Sequence, residues 1–287
     1  TFTESVKSYF GHTSRFSMGS DVADINHDGY MDLLSLDMLP EDEEVLKASD
    51  GDESVDILQL RINQLGYHYQ FTRNMLQINQ QGNHFLETAL YSGVAATDWS
   101  WSALFADYNQ DGEQDLFVFN GIPKRPNNLD YVKYISNEQI QKKISQTKLV
   151  DNEALDLMPP GIVPNYIFEG KPGIGFQDRS GEWISKDPMI SNGSAYADFD
   201  NDGDLDVVAN NLNSTPALYE NKTNEKAAYL KVKLEFEKAK RFAIGAKVIA
   251  YHQGLAQHRQ LFTSKGFQSS SEPLVHFGYN TAKTIDS

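Results

Sequence analysis

The sequence predicts an all-β fold built from a repeated module. Three observations carry that reading. First, one nine-residue pattern occurs three times: Asp24-Ile-Asn26-His-Asp28-Gly29-Tyr30-Met-Asp32, Asp107-Tyr-Asn109-Gln-Asp111-Gly112-Glu113-Gln-Asp115 and Asp198-Phe-Asp200-Asn-Asp202-Gly203-Asp204-Leu-Asp206. Second, each copy runs into a short apolar stretch, Leu33 to Leu36, Leu116 to Phe119 or Val207 to Ala209. Short runs of this kind, rich in β-branched and aromatic residues, read as buried strands rather than helices. Third, residues 227–287 alternate at period two, as in Leu230-Lys-Val232-Lys-Leu234 and Val248-Ile-Ala250. That alternation is half-buried sheet.

The module is larger than the pattern. Phe2, Phe85 and Phe176 each lie 22 residues before the first Asp of the next copy. Each is followed two residues on by an acid: Glu4, Glu87 or Asp178. Asn74 and Asn165 each lie 11 residues before their Phe, so 74–115 and 165–206 align without a gap. A third start stands at Pro216, ten residues after Asp206, whereas the same step takes 42 residues after Asp32 and 50 after Asp115. The first two modules therefore carry insertions, around 40–72 and 124–162. The first opens on Glu41-Asp42-Glu43-Glu44. In the second, Tyr131, Tyr134, Ile135, Ile140 and Ile144 fall at loosely helical spacing, and Pro159-Pro160-Gly161 ends the segment. Each insertion reads as an excursion with a helix, serving as decoration or as a partner-binding lid.

The pattern points to a metal. Positions 1, 3, 5 and 9 carry oxygen side chains, and position 6 is glycine. Carboxylates this close repel one another unless a cation sits among them. Ca²⁺ takes about 6–8 oxygen ligands, which a short loop with a sharp glycine turn supplies. The helix-flanked version of such a loop closes with a bidentate Glu at position 12. Here position 12 is Ser35, Val118 or Ala209. The fourth acid sits instead at position 9, and the loop joins two strands of one sheet. The expected ligands are Asp24, Asn26, Asp28 and Asp32 in the first loop; Asp107, Asn109, Asp111 and Asp115 in the second; and Asp198, Asp200, Asp202 and Asp206 in the third. The backbone carbonyls of Tyr30, Glu113 and Asp204 complete each set, for about three Ca²⁺ in all. The third loop has a fifth acid in Asp204, so it is expected to bind tightest. Asp- and Gly-rich turns also form without metal, but three copies with one ligand order argue against that.

The modules resemble FG-GAP/VCBS repeats, the four-stranded blades of a calcium-bearing β-propeller. The resemblance is carried by Arg73-Asn74-Met75-Leu76, Thr97-Asp98-Trp99-Ser100-Trp101, Asn120-Gly121-Ile122 and Ser191-Asn192-Gly193. The C-terminal piece resembles an ASPIC/UnbV domain through Gly245-Ala246-Lys247-Val248, Phe267-Gln268-Ser269-Ser270 and His276-Phe277-Gly278. Together they imply a partial β-propeller over residues 1–222, with helical insertions, and an incomplete ASPIC/UnbV-like β domain over 223–287. Such propellers usually carry about seven blades, so three loops read as part of a longer protein. The architecture is similar to that of secreted or lipid-anchored VCBS/UnbV proteins of Bacteroidota, and to cartilage acidic protein. The resemblance implies an extracellular, outer-membrane-associated location and a protein partner at the cell surface, with a SusC/SusD-type transporter as the candidate.

Composition narrows the function classes. A net charge of −15 argues against a nucleic-acid partner, which needs a basic face. The chain has no cysteine, so neither disulfides nor thiol catalysis enter. No apolar run reaches the ~18 residues that suggest a membrane span. The seven histidines are scattered, and neither a nucleophile elbow nor a phosphate-binding loop is present. Trp99 and Trp101 share a face if they lie in one strand, which makes them the candidate surface for a glycan or a partner, or else packing between sheets. The reading is a non-catalytic, calcium-binding scaffold or binding module. The alternatives are a glycan-binding propeller or polysaccharide lyase accessory, and a structural spacer of an adhesin.

Overall fold

Each nine-residue pattern folds as the connection between the first two strands of an antiparallel meander. The computed structural model describes residues 2–51, 53–137, 140–141, 152–223, 227–236, 241–280 and 285–287. A short parallel pair is formed by β1 (Thr13–Ser14) and β4 (Gln70–Phe71). The first meander sheet runs β2 (Ser20–Ala23), β3 (Asp32–Ser35), β5 (Met75–Asn79) and β6 (Phe85–Glu87). The second runs β7 (Ser100–Ala106), β8 (Asp115–Asn120), β9 (Tyr166–Gly170) and β10 (Phe176–Asp178). The third begins with β11 (Ser191–Ala197), β12 (Asp206–Asn211) and β13 (Ala217–Tyr219). The register repeats from sheet to sheet: Leu34 faces Leu76, Phe117 faces Ile167 and Val208 faces Leu218.

The fold is mostly β, and among the described residues the three sheets close no ring. One apolar core lies between the first and second sheets around Leu34, Leu76, Phe105 and Val118. A second lies between the second and third sheets around Leu104, Phe117, Phe119 and Val207. The insertions carry helices at Glu43–Lys47, Val55–Leu65, Leu129–Ile135 and Asn152–Leu157. Asp42 and Asn128 cap two of them with side-chain oxygens, as local sequence favours. The two insertions meet: Asp50 N donates to Asn127 O (2.6 Å) and Leu129 N to Ala48 O (2.8 Å). Tyr131, Tyr134 and Ile135 of the predicted helical spacing lie in the helix Leu129–Ile135, and Ile144 falls outside the described residues.

The C-terminal strands are β14 (Tyr229–Val232), β15 (Glu235–Phe236), β16 (Arg241–Phe242), β17 (Lys247–His252), β18 (Leu255–Gln260), β19 (Ser264–Lys265), β20 (Ser269–Ser271) and β21 (Val275–Gly278). β14 pairs with β21, and β17 with β18, over a small core of Ala250, Leu261, Val275, Phe277 and Tyr279. The β19–β20 hairpin leaves this unit and joins the third sheet, with β20 parallel to β11. It touches the first strand of every meander. Lys265 Nζ meets both Asp21 oxygens (3.0 and 3.1 Å), and Gly266 N donates to Ser20 O (2.9 Å). Ser269 Oγ reaches Ser102 Oγ (2.7 Å) and accepts from Ser194 N (2.9 Å). Gly266 is required by this approach: a Cβ there would lie 2.1 Å from the Ser20 backbone.

The Asp21–Lys265 pair is buried, and Asp21 Oδ2 also accepts from Phe105 N (2.8 Å). Burial pushes the Asp21 carboxyl up against the pull of Lys265. Removing the ammonium strands an anion in the interior. Lys265→Met is expected to cost about 3 kcal/mol in urea unfolding, and Asp21→Asn in the same chain to recover part of it. An unchanged midpoint for Lys265→Met would show that the hairpin is not held this way.

Candidate metal centres

The three loops are wound by one hydrogen-bond scheme. In the first, Asp24 Oδ1 and Oδ2 accept from Asp28 N (3.1 Å) and Gly29 N (2.9 Å). Asn26 Oδ1 accepts from Asp28 N (3.3 Å), and Asp28 Oδ1 from Tyr30 N (2.9 Å). Asp32 closes the loop, accepting from Ile25 N (2.9 Å) and, across to the third strand, from Asn79 N (2.8 Å). The second loop repeats this: Asp107 holds Asp111 N (3.0 Å) and Gly112 N (2.9 Å), and Asp115 holds Tyr108 N (2.9 Å) and Gly170 N (2.8 Å). In the third, Asp198 holds Asp202 N (3.1 Å) and Gly203 N (3.0 Å), and Asp206 holds Phe199 N (2.9 Å) and Asn221 N (2.8 Å). Position 4 is left-handed in each, at His27 (φ 59°), Gln110 (58°) and Asn201 (63°). Position 6 is further into that region, at Gly29 (87°), Gly112 (100°) and Gly203 (107°), where a Cβ is penalised.

This winding gathers oxygens. Asp198, Asp200 and Asp206 each place a carboxylate oxygen within 4.8 Å of the others, a trio able to hold a cation. In the first two loops position 3 is Asn26 or Asn109, whose amide nitrogens donate to Asp28 (3.2 Å) and Asp111 (3.0 Å). The crowding shows in the acidities. Burial, then repulsion from Asp24 and Asp28, pushes Asp32 up to about 6. Burial pushes Asp107 up to about 7 despite nearby Arg259. Asp115 is driven well above the carboxylate range by burial and by Asp107. In each the charged form is disfavoured, a cost that a bound cation would relieve.

The third loop differs in two ways. Burial alone would raise the Asp198 carboxyl, but the hydrogen bond and charge of Lys231 hold it low. Asp204 is fully buried, and its Oδ2 accepts from Thr223 N (2.9 Å). The fifth acid thus adds no ligand through its side chain. The third loop still carries one more ligand carboxylate than the other two, Asp200 where they have Asn26 and Asn109, set against the Lys231 ammonium on Asp198. Position 7 behaves differently again in the other loops. Glu113 reaches back to His27 Nε2 (2.9 Å), and Tyr30 is exposed.

The loops also touch one another and the C-terminal unit. Gln110 Nε2 donates to Gly203 O (2.9 Å), linking the second loop to the third. Gly278 N donates to Asp107 Oδ2 (3.1 Å), Asn280 N to Gln110 O (2.6 Å) and Arg259 Nη2 to Gly112 O (3.2 Å). His276 Nε2 meets Gly203 O (2.9 Å). Sequence reasoning missed Lys231, Arg259 and His276, which lie far along the chain from the loops they serve.

Trp99 and Trp101 do not lie in one regular strand and so do not share a strand face. Trp99 precedes β7, and the register shifts between Ser100 and Ser102, at Trp101. Both are half-buried. Trp101 Nε1 donates to Gly121 O (2.7 Å) and its ring packs on Phe267, at 4.7 Å between centroids.

A family model described as ASPIC and UnbV matches residues 236–287. The match covers the β17–β18 hairpin, the β19–β20 hairpin and β21, so the unit that docks on the three loops carries an ASPIC/UnbV domain. No curated protein matches the chain.

Two outcomes follow from the loop chemistry. Protons compete with a cation at carboxylates whose metal-free pKa is raised, so divalent-ion affinity should fall more than tenfold between about pH 8 and 5 in calorimetric titrations. Affinity flat across that range would contradict the raised pKa values of Asp32 and Asp107. Lys231→Met removes a cation already on Asp198 and should tighten the third loop about tenfold, or ~1.4 kcal/mol. Weaker binding in that variant would mean that Lys231 orders the loop instead.

Proposed function

We propose that the chain is a calcium-stabilised, non-catalytic binding or scaffold module, its meander sheets being blades of a partial FG-GAP/VCBS-type β-propeller. The observation that carries this reading is the sameness of the three loops. Each repeats one backbone scheme around oxygens at positions 1, 3, 5 and 9, and a turn needs no such repetition. Asp24, Asn26, Asp28 and Asp32 would hold one cation with the Tyr30 carbonyl. Asp107, Asn109, Asp111 and Asp115 would hold a second with that of Glu113, and Asp198, Asp200, Asp202 and Asp206 a third with that of Asp204. The donor set is all oxygen, which suits Ca²⁺ and disfavours zinc or copper. When bound, the ion supplies charge neutralisation at the edge where the ASPIC/UnbV unit docks.

The setting proposed is the surface of a Gram-negative cell, within an outer-membrane uptake complex of SusC/SusD type. A cysteine-free extracellular module needs another staple, and calcium is one. The helix Val55–Leu65 supports a protein partner: it buries none of its residues and leaves Val55, Ile57, Leu60 and Leu65 exposed. Exposed apolar groups clustered on one element mark interaction surfaces.

Thermal unfolding tests the calcium reading. A site held at about 100 times its Kd contributes ~2.7 kcal/mol. At about 2–4 °C per kcal/mol for a chain of this size, a chelator should lower Tm by more than about 10 °C. A Tm indifferent to chelator and to added Ca²⁺ would defeat the proposal.

A further inference from the structure

A cavity of about 470 Å³ opens where the first two loops meet the C-terminal unit. That volume lies within the range of about 300–1,000 Å³ typical of small-molecule sites. Segments far apart in the chain build its walls. His27 stands at position 4 of the first loop, and Glu113 at position 7 of the second. His252 and Gln253 lie at the hairpin between β17 and β18, and Tyr279 and Asn280 follow β21.

The wall is polar, and part of it lacks partners. Tyr279 is 4% exposed, and its hydroxyl has no hydrogen-bond partner among the described residues. The ring lies beside Phe277 and meets His252 edge-on, at 5.4 Å between centroids. A phenylalanine would make the same ring contacts without burying an unpaired hydroxyl, which costs stability. Packing therefore does not explain the oxygen. His27 poses the same question. Its Nε2 meets Glu113 Oε2 (2.9 Å), while Nδ1 is buried with no partner among the described residues. A carboxylate opposite Nε2 makes that nitrogen the donor, so Nδ1 of the neutral ring is an acceptor. Glu113 keeps Oε1 outside this bond. Gln253 and Asn280, both exposed, add amides at the rim, each with a donor and an acceptor.

These groups select a ligand class. Two acceptors, Glu113 and His27 Nδ1, stand with a donor, the Tyr279 hydroxyl, and with amides that are both. A hydroxyl also donates and accepts, so a molecule carrying several of them satisfies such a set. Asp111 and Glu113 on the wall oppose an anion. The His252 ring, backed by Tyr279, gives the wall an aromatic surface on which the C–H face of a sugar ring can pack.

We propose that this cavity binds a neutral sugar, held through Glu113, His27 Nδ1 and the Tyr279 hydroxyl. The site is composite, since neither the loops nor the C-terminal unit forms it alone. It lies apart from Trp99 and Trp101, which take no part in its lining. The proposal goes beyond the scaffold reading and requires no cation, and Asp111 is left to the second loop.

Saturation-transfer-difference NMR on the full chain tests it. The probes are glucose, galactose, mannose and N-acetylglucosamine, each at about 10 mM, which reports Kd values into the millimolar range. At least one sugar should show transfer that titrates to saturation. Tyr279→Phe removes an oxygen that no partner holds, so it should melt as wild type does and weaken that sugar about tenfold. Leu255 is 64% exposed on the cavity wall, and Leu255→Arg should weaken the sugar as well by crowding the mouth. Choline, a cationic probe without the sugar's ring of hydroxyls, should show no transfer at the same concentration. Silence from all the sugars, an affinity unchanged in either variant, or transfer to choline in place of the sugars would each overturn the proposal.

Discussion

Carboxylates held side by side by backbone hydrogen bonds are the constraint on which the rest of this structure depends. The position-1 and position-9 aspartates accept from their own loop, and position 9 also accepts from the third strand at Asn79, Gly170 or Asn221. Each loop therefore does more than turn the chain. It fixes the first three strands of its meander and sets the register repeated in all three sheets. Burial, with repulsion from neighbouring carboxylates added, pushes Asp24, Asp32, Asp107 and Asp115 upward in pKa. Proposed Ca²⁺ sites would resolve that conflict in the way oxygen-rich loops do.

The C-terminal unit is tied to the same edge. Lys231 pairs with Asp198, while Arg259 lies near Asp107 and holds the Gly112 carbonyl. Protein cations thus already approach the acidic loops from the docked unit. Burying such charges is costly unless they are paired, so the two parts of the chain constrain one another through the loops. The β19–β20 hairpin adds a second tie, reaching Ser20, Asp21, Ser102 and Ser194 on three successive first strands. Gly266 and Lys265 make that reach because one lacks a side chain and the other has a long one.

What the sequence revealed was local. A nine-residue pattern fixes its own turn, and the apolar run after it fixes the strand, so the loops, the meander order and the insertion helices could be read directly. The position of Asn79, Gly170 and Asn221 was implicit in the repeat, since each sits five residues after an aligned module start. The rest depended on contacts between distant segments. Nothing near Asp204 foretells its bond to Thr223, and nothing near Lys231 or Arg259 points to loops 33 and 147 residues away. Trp99 and Trp101 do not share a strand face, because an irregular pairing next to Ser100 breaks the alternation, and Trp101 packs on Phe267.

Each loop is proposed to be a separate cation site. The most direct test is to count metal by native mass spectrometry in the presence of Ca²⁺, comparing wild type with Asp24→Asn, Asp107→Asn and Asp198→Asn. About three Ca²⁺ on the wild type and one fewer on each variant is the predicted result. A wild type without bound Ca²⁺, or variants that keep the full number, would contradict it.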